Sequence, residues 1–520
     1  LKPPPEAASG QRAPNRKTSV VTGAATLFAS SIFSQILGLA TLIVTARLLT
    51  PTDFGVIAYF VIAVALLEII QRAVSMTLIR QPDITEAHLN TVFTMQVLLG
   101  LGAACLIWLS TPLMPMLGLP ELTELIPALC IISVLISLKS PRFPLLERDL
   151  RFAFVAGEEA ISRFVYTVFA ILLAWIWRDF WAVVVANFLT QVARVIWTYS
   201  TAPMWPRLTL SRWRDCLNIS SWSLGAQITQ FLTTNTPQLI IGATLGLADA
   251  GTFRIGFRLV SLFTNQAIAP LERVIYPALA HISRTDGTTQ KAFEQTNAIL
   301  LGTIIPVSVG MALVANHMII VVIGWQWLAA AQVIWVLAPL KAIETLQANV
   351  RSASYVKGDT KRLCIRNSIL LVVTIVLMLI GSSFGYFGAI LGTGLSSVFA
   401  IFLTLIMARD FGTGGFFGPI LVAWRSIVST LVMVAVVLLV GGALGNHDQV
   451  GWAFNSPDDL PLLRIRFLAK VLAGVIAYVG THLFLWHLSK RPEGFESAAL
   501  NLAGGACRHV FTRGPRGESS

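Results

Sequence analysis

Charge is what this chain has least of. Asp, Glu, Lys and Arg make up 12% of its 520 residues, about half the share of a soluble domain. With 55% hydrophobic residues and a mean hydropathy of +0.72, a soluble globule is excluded. Cysteine is scarce too: Cys105, Cys130, Cys216, Cys364 and Cys507 are scattered, with no CxxC and no His at ligand spacing. Neither a disulfide framework nor a metal site is expected. The chain has no GxxxxGK[ST] run, so ATP hydrolysis is not the engine. No paired-carboxylate motif stands out, and an enzyme is not expected. Net charge is +12. On so apolar a chain this reads as basic residues retained on the cytoplasmic side of a membrane, and a nucleic-acid partner is not implied.

What the chain does have is a succession of long apolar runs. Spans are predicted near 20–46, 55–79, 87–111, 121–138, 153–177, 179–201, 219–245, 251–276, 295–323, 327–350, 364–384, 386–408, 423–445 and 467–488. Most reach the length that crosses a hydrocarbon core of about 30 Å. Runs this long, without alternation, are helices, because a helix satisfies its own backbone in lipid. The expectation is an all-α integral membrane protein of about 14 spans. With the N-terminus placed in the cytoplasm, most Lys and Arg fall inside, and only Arg47, Arg178, Arg464, Arg466 and Lys470 fall outside. Both termini are therefore expected in the cytoplasm. The first residues are a Pro-, Ala- and Lys/Arg-rich tail with no cleavable signal sequence.

The spans divide into repeats. Leu49, Asp53 and Gly55 after the first span recur as Leu245, Asp249 and Gly251 after the seventh, at one constant offset. The expected role is a tight reversal, with Asp as helix N-cap and Gly taking a conformation other residues resist. A repeat of six spans restores direction, so the two halves run parallel, one known plan for an alternating-access transporter. The plan is a tail over 1–19, a six-helix bundle over 20–202, and a basic linker over 203–218. A second six-helix bundle over 219–408, two accessory helices over 409–488 and a tail over 489–520 complete it.

Two segments carry a family resemblance. Leu48-Leu-Thr-Pro-Thr-Asp-Phe-Gly55 resembles the L-G-x-x-[DE]-[FY]-G turn of polysaccharide flippases, with Thr50 and Pro51 departing from it. Pro144-Leu-Leu-Glu-Arg-Asp-Leu-Arg-Phe152 resembles their L-L-x-R-x-L-x-F loop, particularly in the colanic-acid and succinoglycan exporter branch. The chain thus looks like a Wzx-type protein of the multidrug/oligosaccharidyl-lipid/polysaccharide exporter superfamily. The resemblance implies two pseudo-symmetric bundles around a central cavity. It also implies transfer of an undecaprenyl-diphosphate-linked oligosaccharide between leaflets, for exopolysaccharide or O-antigen synthesis. Partners would be that lipid-linked substrate, membrane lipids, and the polymerase and glycosyltransferases of the pathway. It carries no invariant site motif.

Ionisable residues at membrane depth are costly and mark candidate sites. Glu68 with Arg72, and Glu159 with Arg163, have favourable i,i+4 spacing for ion pairs. Glu158, Arg194, Lys341 and Glu344 are the others. Arg254 and Arg258 share a helix face with no acid nearby in that span, and guanidinium pairs suit phosphate and uronate. A cationic cavity of Arg258, Arg254, Arg194 and Lys341 is the expectation, with snorkelling of Arg254 as the alternative. Ser34, Gln35, Gln227, Gln230, Thr234, Asn235 and Gln238 are expected to line it, and Pro237 to kink the seventh span. No cofactor is called for, and proton or sodium coupling is open to Glu68, Glu158 or Glu159.

Trp175, Trp177, Trp181, Trp325 and Trp327 read as interfacial anchors. Arg207–Arg214 and Tyr355–Arg366 read as basic cytoplasmic surfaces for anionic headgroups or partner enzymes. The rivals are a multidrug or cation exporter, which wants an acid-rich cavity, a peptidoglycan-precursor flippase, and a membrane polymerase or ligase, which wants a large outer loop.

Overall fold

A computed structural model describes residues 16–80, 83–116, 118–149, 151–216, 221–264, 289–357, 359–409, 415, 417–443 and 460–489. The far N-terminal tail, residues 265–276 of the eighth span (Arg273 among them), Arg284 beyond it, most of the 446–461 loop and the tail from 490 lie outside them. Every element among the described residues is helical. The chain divides after Leu224 into two compact units. That division falls a turn inside the seventh span, so the basic linker belongs to the first unit.

The first unit holds α1 (Arg16–Leu48), α2 (Pro51–Arg80), α3 (Glu86–Leu109), α4 (Ile126–Ser137), α5 (Phe152–Trp177) and α6 (Trp181–Thr201). A 3-10 turn, Pro120–Leu125, leads into α4. α5 packs along α6 and α1, and α3 along α4. Small and hydroxylated residues mark these seams: Thr41 Oγ1 donates to Thr167 Oγ1 at 2.9 Å, and Ser30 Oγ to the Ala156 carbonyl at 3.0 Å. Between membrane helices, such bonds and close packing replace the hydrophobic drive that lipid removes.

The second unit contains α7 (Ser221–Thr244, most of it), α8 (247–264), α9 (Thr289–Leu313), α10 (Ala315–Val322), α11 (Ala330–Glu344) and α12 (Leu346–Lys357). α13 (Thr360–Ser382), α14 (Gly385–Ala408), α15 (Trp424–Ala443) and α16 (Leu460–Leu488) follow. α13 and α14 form a hairpin whose backbones touch. A Cβ on Gly381 would strike the Gly388 carbonyl, one on Gly388 the Gly381 carbonyl, and one on Gly392 the Leu377 carbonyl.

Among the described residues, ten helices are long and apolar enough to cross a membrane, or eleven if a bent pair counts as one. α7 is helical where a span was expected but too polar to join that set. Its hydroxyls turn back on their own helix: Thr229, Thr233, Thr234 and Thr236 each donate to the carbonyl four residues earlier. Asn235 does the same to Phe231.

Three expectations are corrected. The span predicted at 295–323 is broken by a 75° bend between α9 and α10, at Val314, whose ψ of 9° leaves the helical register. The span at 327–350 is a 3-10 turn, Trp325–Trp327, followed by α11 and α12. Trp327 is fully buried, so it is a packing residue rather than an interfacial anchor, whereas Trp175 and Trp177 are exposed.

The repeated turn is also built differently. α2 begins at Pro51, so Thr50 is the cap and Asp53 is the third helical residue. Asp53 Oδ2 accepts from Thr50 N at 2.9 Å and Thr50 Oγ1 at 2.7 Å, and Asp53 N donates back to Thr50 Oγ1 at 3.2 Å. This is a reciprocal capping box. In the second copy α8 begins after Gly246, which takes φ +108°. The special conformation thus sits at Gly246, while Gly55 and Gly251 are buried within the first helical turns. Asp249 occupies the third helical position again, and burial raises its carboxyl.

Candidate functional site: an inter-helix ion cluster in the first unit

Three helices and one loop of the first unit bring charge to one point. α6 supplies Arg194, α2 supplies Glu68 and α5 supplies Glu158. Arg194 Nη1 lies 2.6 Å from Glu68 Oε1, and its Nε lies 3.2 Å from Glu158 Oε1. Nε also donates to Ser162 Oγ at 3.1 Å, and Gln191 Nε2 donates to Glu68 Oε1 at 3.0 Å. The three charged side chains are 24%, 25% and 19% exposed. Glu68 lies about 15 Å along the helix from the Leu78 end of its apolar stretch, and Arg194 about 10 Å from Thr201. Such groups at that depth survive by pairing with one another.

The loop after α4 adds Lys139. Burial and the positive charge of Arg194 push its ammonium down to about 8, against the opposing pull of Glu68 and Glu158. Sequence reasoning counted Lys139 among the cytoplasmic surface charges. Its position just past Ser137 gave no sign that the loop folds inward.

Arg163 makes a separate contact with α1. Its Nε donates to the Ser34 carbonyl at 2.9 Å, and its guanidinium lies across Gly38, where any side chain would strike it. Gly38 was missed for want of a motif. The Ser34 hydroxyl is buried without a hydrogen-bond partner, and Gln35 reaches Ser31 at 3.4 Å.

Glu68 makes its direct contact with Arg194 rather than with the expected i,i+4 partner Arg72, which acts on it only as a weaker charge. Arg72 is exposed on α2, and Glu68 takes the guanidinium of a different helix. A cross-helix partner brings its charge closer than a neighbour that can swing to the surface. Glu158 and Glu159 separate likewise: Glu158 turns to Arg194, while Glu159 is exposed.

The second unit arranges its charges otherwise. Lys341 Nζ binds Glu344 on the same helix at 2.7 and 2.9 Å and sits 5.7 Å above the Phe257 ring. Arg254 is half-buried and Arg258 exposed on α8. Gln347 Nε2 donates to Gln230 Oε1 at 2.8 Å, and Gln230 Nε2 to Thr234 at 3.3 Å. Gln238 is buried, with Nε2 unsatisfied, and Gln227 is exposed. Pro237 lies inside α7.

Arg366 corrects another expectation. It was placed on a basic surface, yet it is buried, donating to the Ala400 carbonyl at 3.1 Å, Thr404 Oγ1 at 2.7 Å and Asn367 Oδ1 at 3.0 Å. α14 offers it a carbonyl and a hydroxyl where its head would otherwise need water. Among the described residues no cluster of His, Cys, Asp and Glu could hold a metal.

The family described as "Polysaccharide biosynthesis protein" matches residues 44–332, more than half of the chain. The chain belongs to that family. Both motifs that carried the resemblance, and the ion cluster, lie within the matched stretch. Similar curated proteins include the succinoglycan biosynthesis transport protein ExoT of Rhizobium meliloti (strain 1021), 28% identical over 311 residues, 58% of this chain and 62% of the relative. The lipopolysaccharide biosynthesis protein WzxC of Escherichia coli (strain K12) is 22% identical over 304 residues, 56% of this chain and 60% of its own. The matched region thus spans about three fifths of the length of each relative.

Among solved structures, the lipid II flippase MurJ in an inward closed conformation matches with a TM-score of 0.68 and 14% identity, over 89% of this chain and 100% of that one. An inward-facing multidrug resistance MATE family transporter matches at 0.54, with 13% identity, over 75% and 99%. At these identities the likeness is one of fold. Family membership and the apolar helices among the described residues together make this polysaccharide biosynthesis protein a multi-pass inner-membrane protein.

Proposed function

We propose that this polysaccharide biosynthesis protein is a flippase for an undecaprenyl-diphosphate-linked oligosaccharide. In this reading fourteen spans, both termini cytoplasmic, form two six-helix halves and an accessory pair, and the cargo crosses by alternating access. The observation that carries the reading is Arg194, held at membrane depth between Glu68 and Glu158 in a family of polysaccharide biosynthesis proteins. A guanidinium held by carboxylates from two other helices can exchange them for a phosphate, because phosphate offers the same bidentate oxygens with more charge. Such an exchange breaks links between α6, α2 and α5, so binding the anion loosens the helices that must move. A proton on Glu68 or Glu158 would have the same effect, which makes this cluster a place where an ion gradient can act. Within the second half, Arg254 and Arg258 are cations of the kind such an anion takes, Lys341 stays with Glu344, and the polar residues of α7 suit sugar hydroxyls. Ser34, Gln35, Asn235 and Gln238 belong to that polar set.

The test is reconstitution of the full chain in vesicles with a fluorescent lipid-linked oligosaccharide and a quencher of the outward leaflet. Transfer by the wild-type chain and its loss in Arg194→Ala are expected. Transfer unchanged in that variant would overturn the role of the cluster. New glycosidic bonds without transfer would make the chain an enzyme instead.

A further inference from the structure

The linker after α6 is held with more order than a basic loop requires. Ser140 Oγ donates to the Ala202 carbonyl at 2.7 Å, and Arg142 Nη1 to the Pro203 carbonyl at 3.3 Å. Met204 tucks against Val74, Leu78, Leu89 and Val92. From there the backbone is pinned to α3: Arg207 N donates to Asn90 Oδ1 at 2.9 Å, Thr209 N to Thr94 Oγ1 at 2.9 Å, and Arg212 N to Thr91 Oγ1 at 3.3 Å.

The order of these anchors fixes a shape. The chain meets α3 at Asn90, advances to Thr94 and returns to Thr91. Thr94 is one helical turn, about 6 Å, further into the span than Asn90. The linker therefore bows along α3 toward the membrane interior and comes back, with Leu208-Thr209-Leu210 at its apex. Leu208 is 70% exposed and Leu210 44%. Trp205 and Trp213 flank the apex at 96% and 45% exposure. Arg207, Arg212 and Arg214 are exposed beside them, and the Arg214 guanidinium lies 5.4 Å from the centre of the Trp213 ring.

We infer that this bow is an interfacial wedge seated in the anionic headgroups of the leaflet at the Glu86 end of α3. Two leucines enter the acyl boundary, two tryptophans sit at headgroup level, and three arginines meet lipid phosphates. The residue types and their depths match: apolar tip deepest, indoles beside it, cations where the phosphates lie. Pinned to a spanning helix, the wedge holds the linker between the two halves at a fixed depth. This does not depend on the cargo, so it stands or falls apart from the flippase reading.

The full chain in nanodiscs tests it. A nitroxide on Leu208→Cys, with the native cysteines changed to Ser, is read by power saturation with oxygen and with a water-soluble nickel chelate. Oxygen should dominate, placing the label below the phosphates, and Thr94→Val should move it toward water. A label that sits in water, or is shielded only when a pathway enzyme is added, overturns the inference in favour of a protein-binding loop. The unlabelled wild-type chain gives a second measure that does not depend on the cysteine variant folding. With a photoactivatable phosphatidylglycerol, adducts should map to 205–213, about tenfold above those of Arg207→Glu/Arg212→Glu/Arg214→Glu. Equal adduct yields in the two chains would overturn the anionic contact.

Discussion

The two units spend their few charges in opposite ways. In the first, Arg194 ties together carboxylates that arrive on α2 and α5, so one guanidinium joins three helices. In the second, Lys341 is neutralised three residues along its own helix, and Arg366 is held by a neighbouring amide, a carbonyl and a hydroxyl. A pair within one helix costs nothing when helices shift, because both partners travel together. A pair between helices must break or remake. In the proposed reading the first unit is thus where protonation or an anionic ligand would bias conformation, whereas the Lys341–Glu344 pair travels with its helix.

The strongest way to break this contrast is to remove its centre. Arg194→Ala leaves Glu68 and Glu158 without their shared cation and should destabilise the first unit by about 2–3 kcal/mol, below the range for fully buried pairs because these groups are part-exposed. Lys341→Met leaves one part-buried carboxylate unpaired instead of two and should cost about half as much, roughly 1–1.5 kcal/mol. Thermal unfolding of both variants in the same detergent decides it: equal losses would erase the distinction. A middle-sized effect sharpens the comparison at the repeated turn. Thr50→Ala removes one side of the capping box and should cost about 1 kcal/mol, whereas Gly246 has no side chain to lose at the matching place.

An independent handle on the same comparison is pH. Lys139 carries a folded value of about 8 against an ordinary 10.5. Below pH 8 it is charged in both states and burdens the fold. Between about 8 and 10.5 the folded state binds fewer protons than the unfolded, so stability rises with pH there. Lys139→Met should therefore be more stable than wild type at pH 7, with the advantage fading toward pH 10. A constant difference across that range would show that Lys139 does not feel the cluster.

Much of the fold was legible because hydropathy is a one-dimensional signal. Most of the predicted spans overlap described helix, and α1 and α2 simply begin four residues earlier than their apolar runs; the runs at 295–323 and 327–350 are each broken, and the eighth is described only as far as residue 264. Depth in the sequence did not reveal neighbours in space. Glu68–Arg72 satisfied a local rule and lost to Arg194, which lies far along the chain. Lys139 and Arg366 sat at span ends, where snorkelling is the usual outcome, and only tertiary contacts turn them inward. The bend at Val314 has no proline beside it; Pro306 lies more than two turns earlier within the same α9. The capping box was misread by three residues because Asp is acceptable both as cap and at the third position, and Thr50 was treated as a departure from the motif rather than as the cap itself.

The glycine seam of α13 and α14 sets a boundary on motion in the second unit. Where carbonyls rather than side chains meet, no rotamer can change to let one helix slide past the other. The hairpin is a keel: it can tilt as a whole, but it cannot shear. Any change of shape in that unit must bend around it, and a helix already broken at Val314 is the joint nearest to hand in the chain's own design.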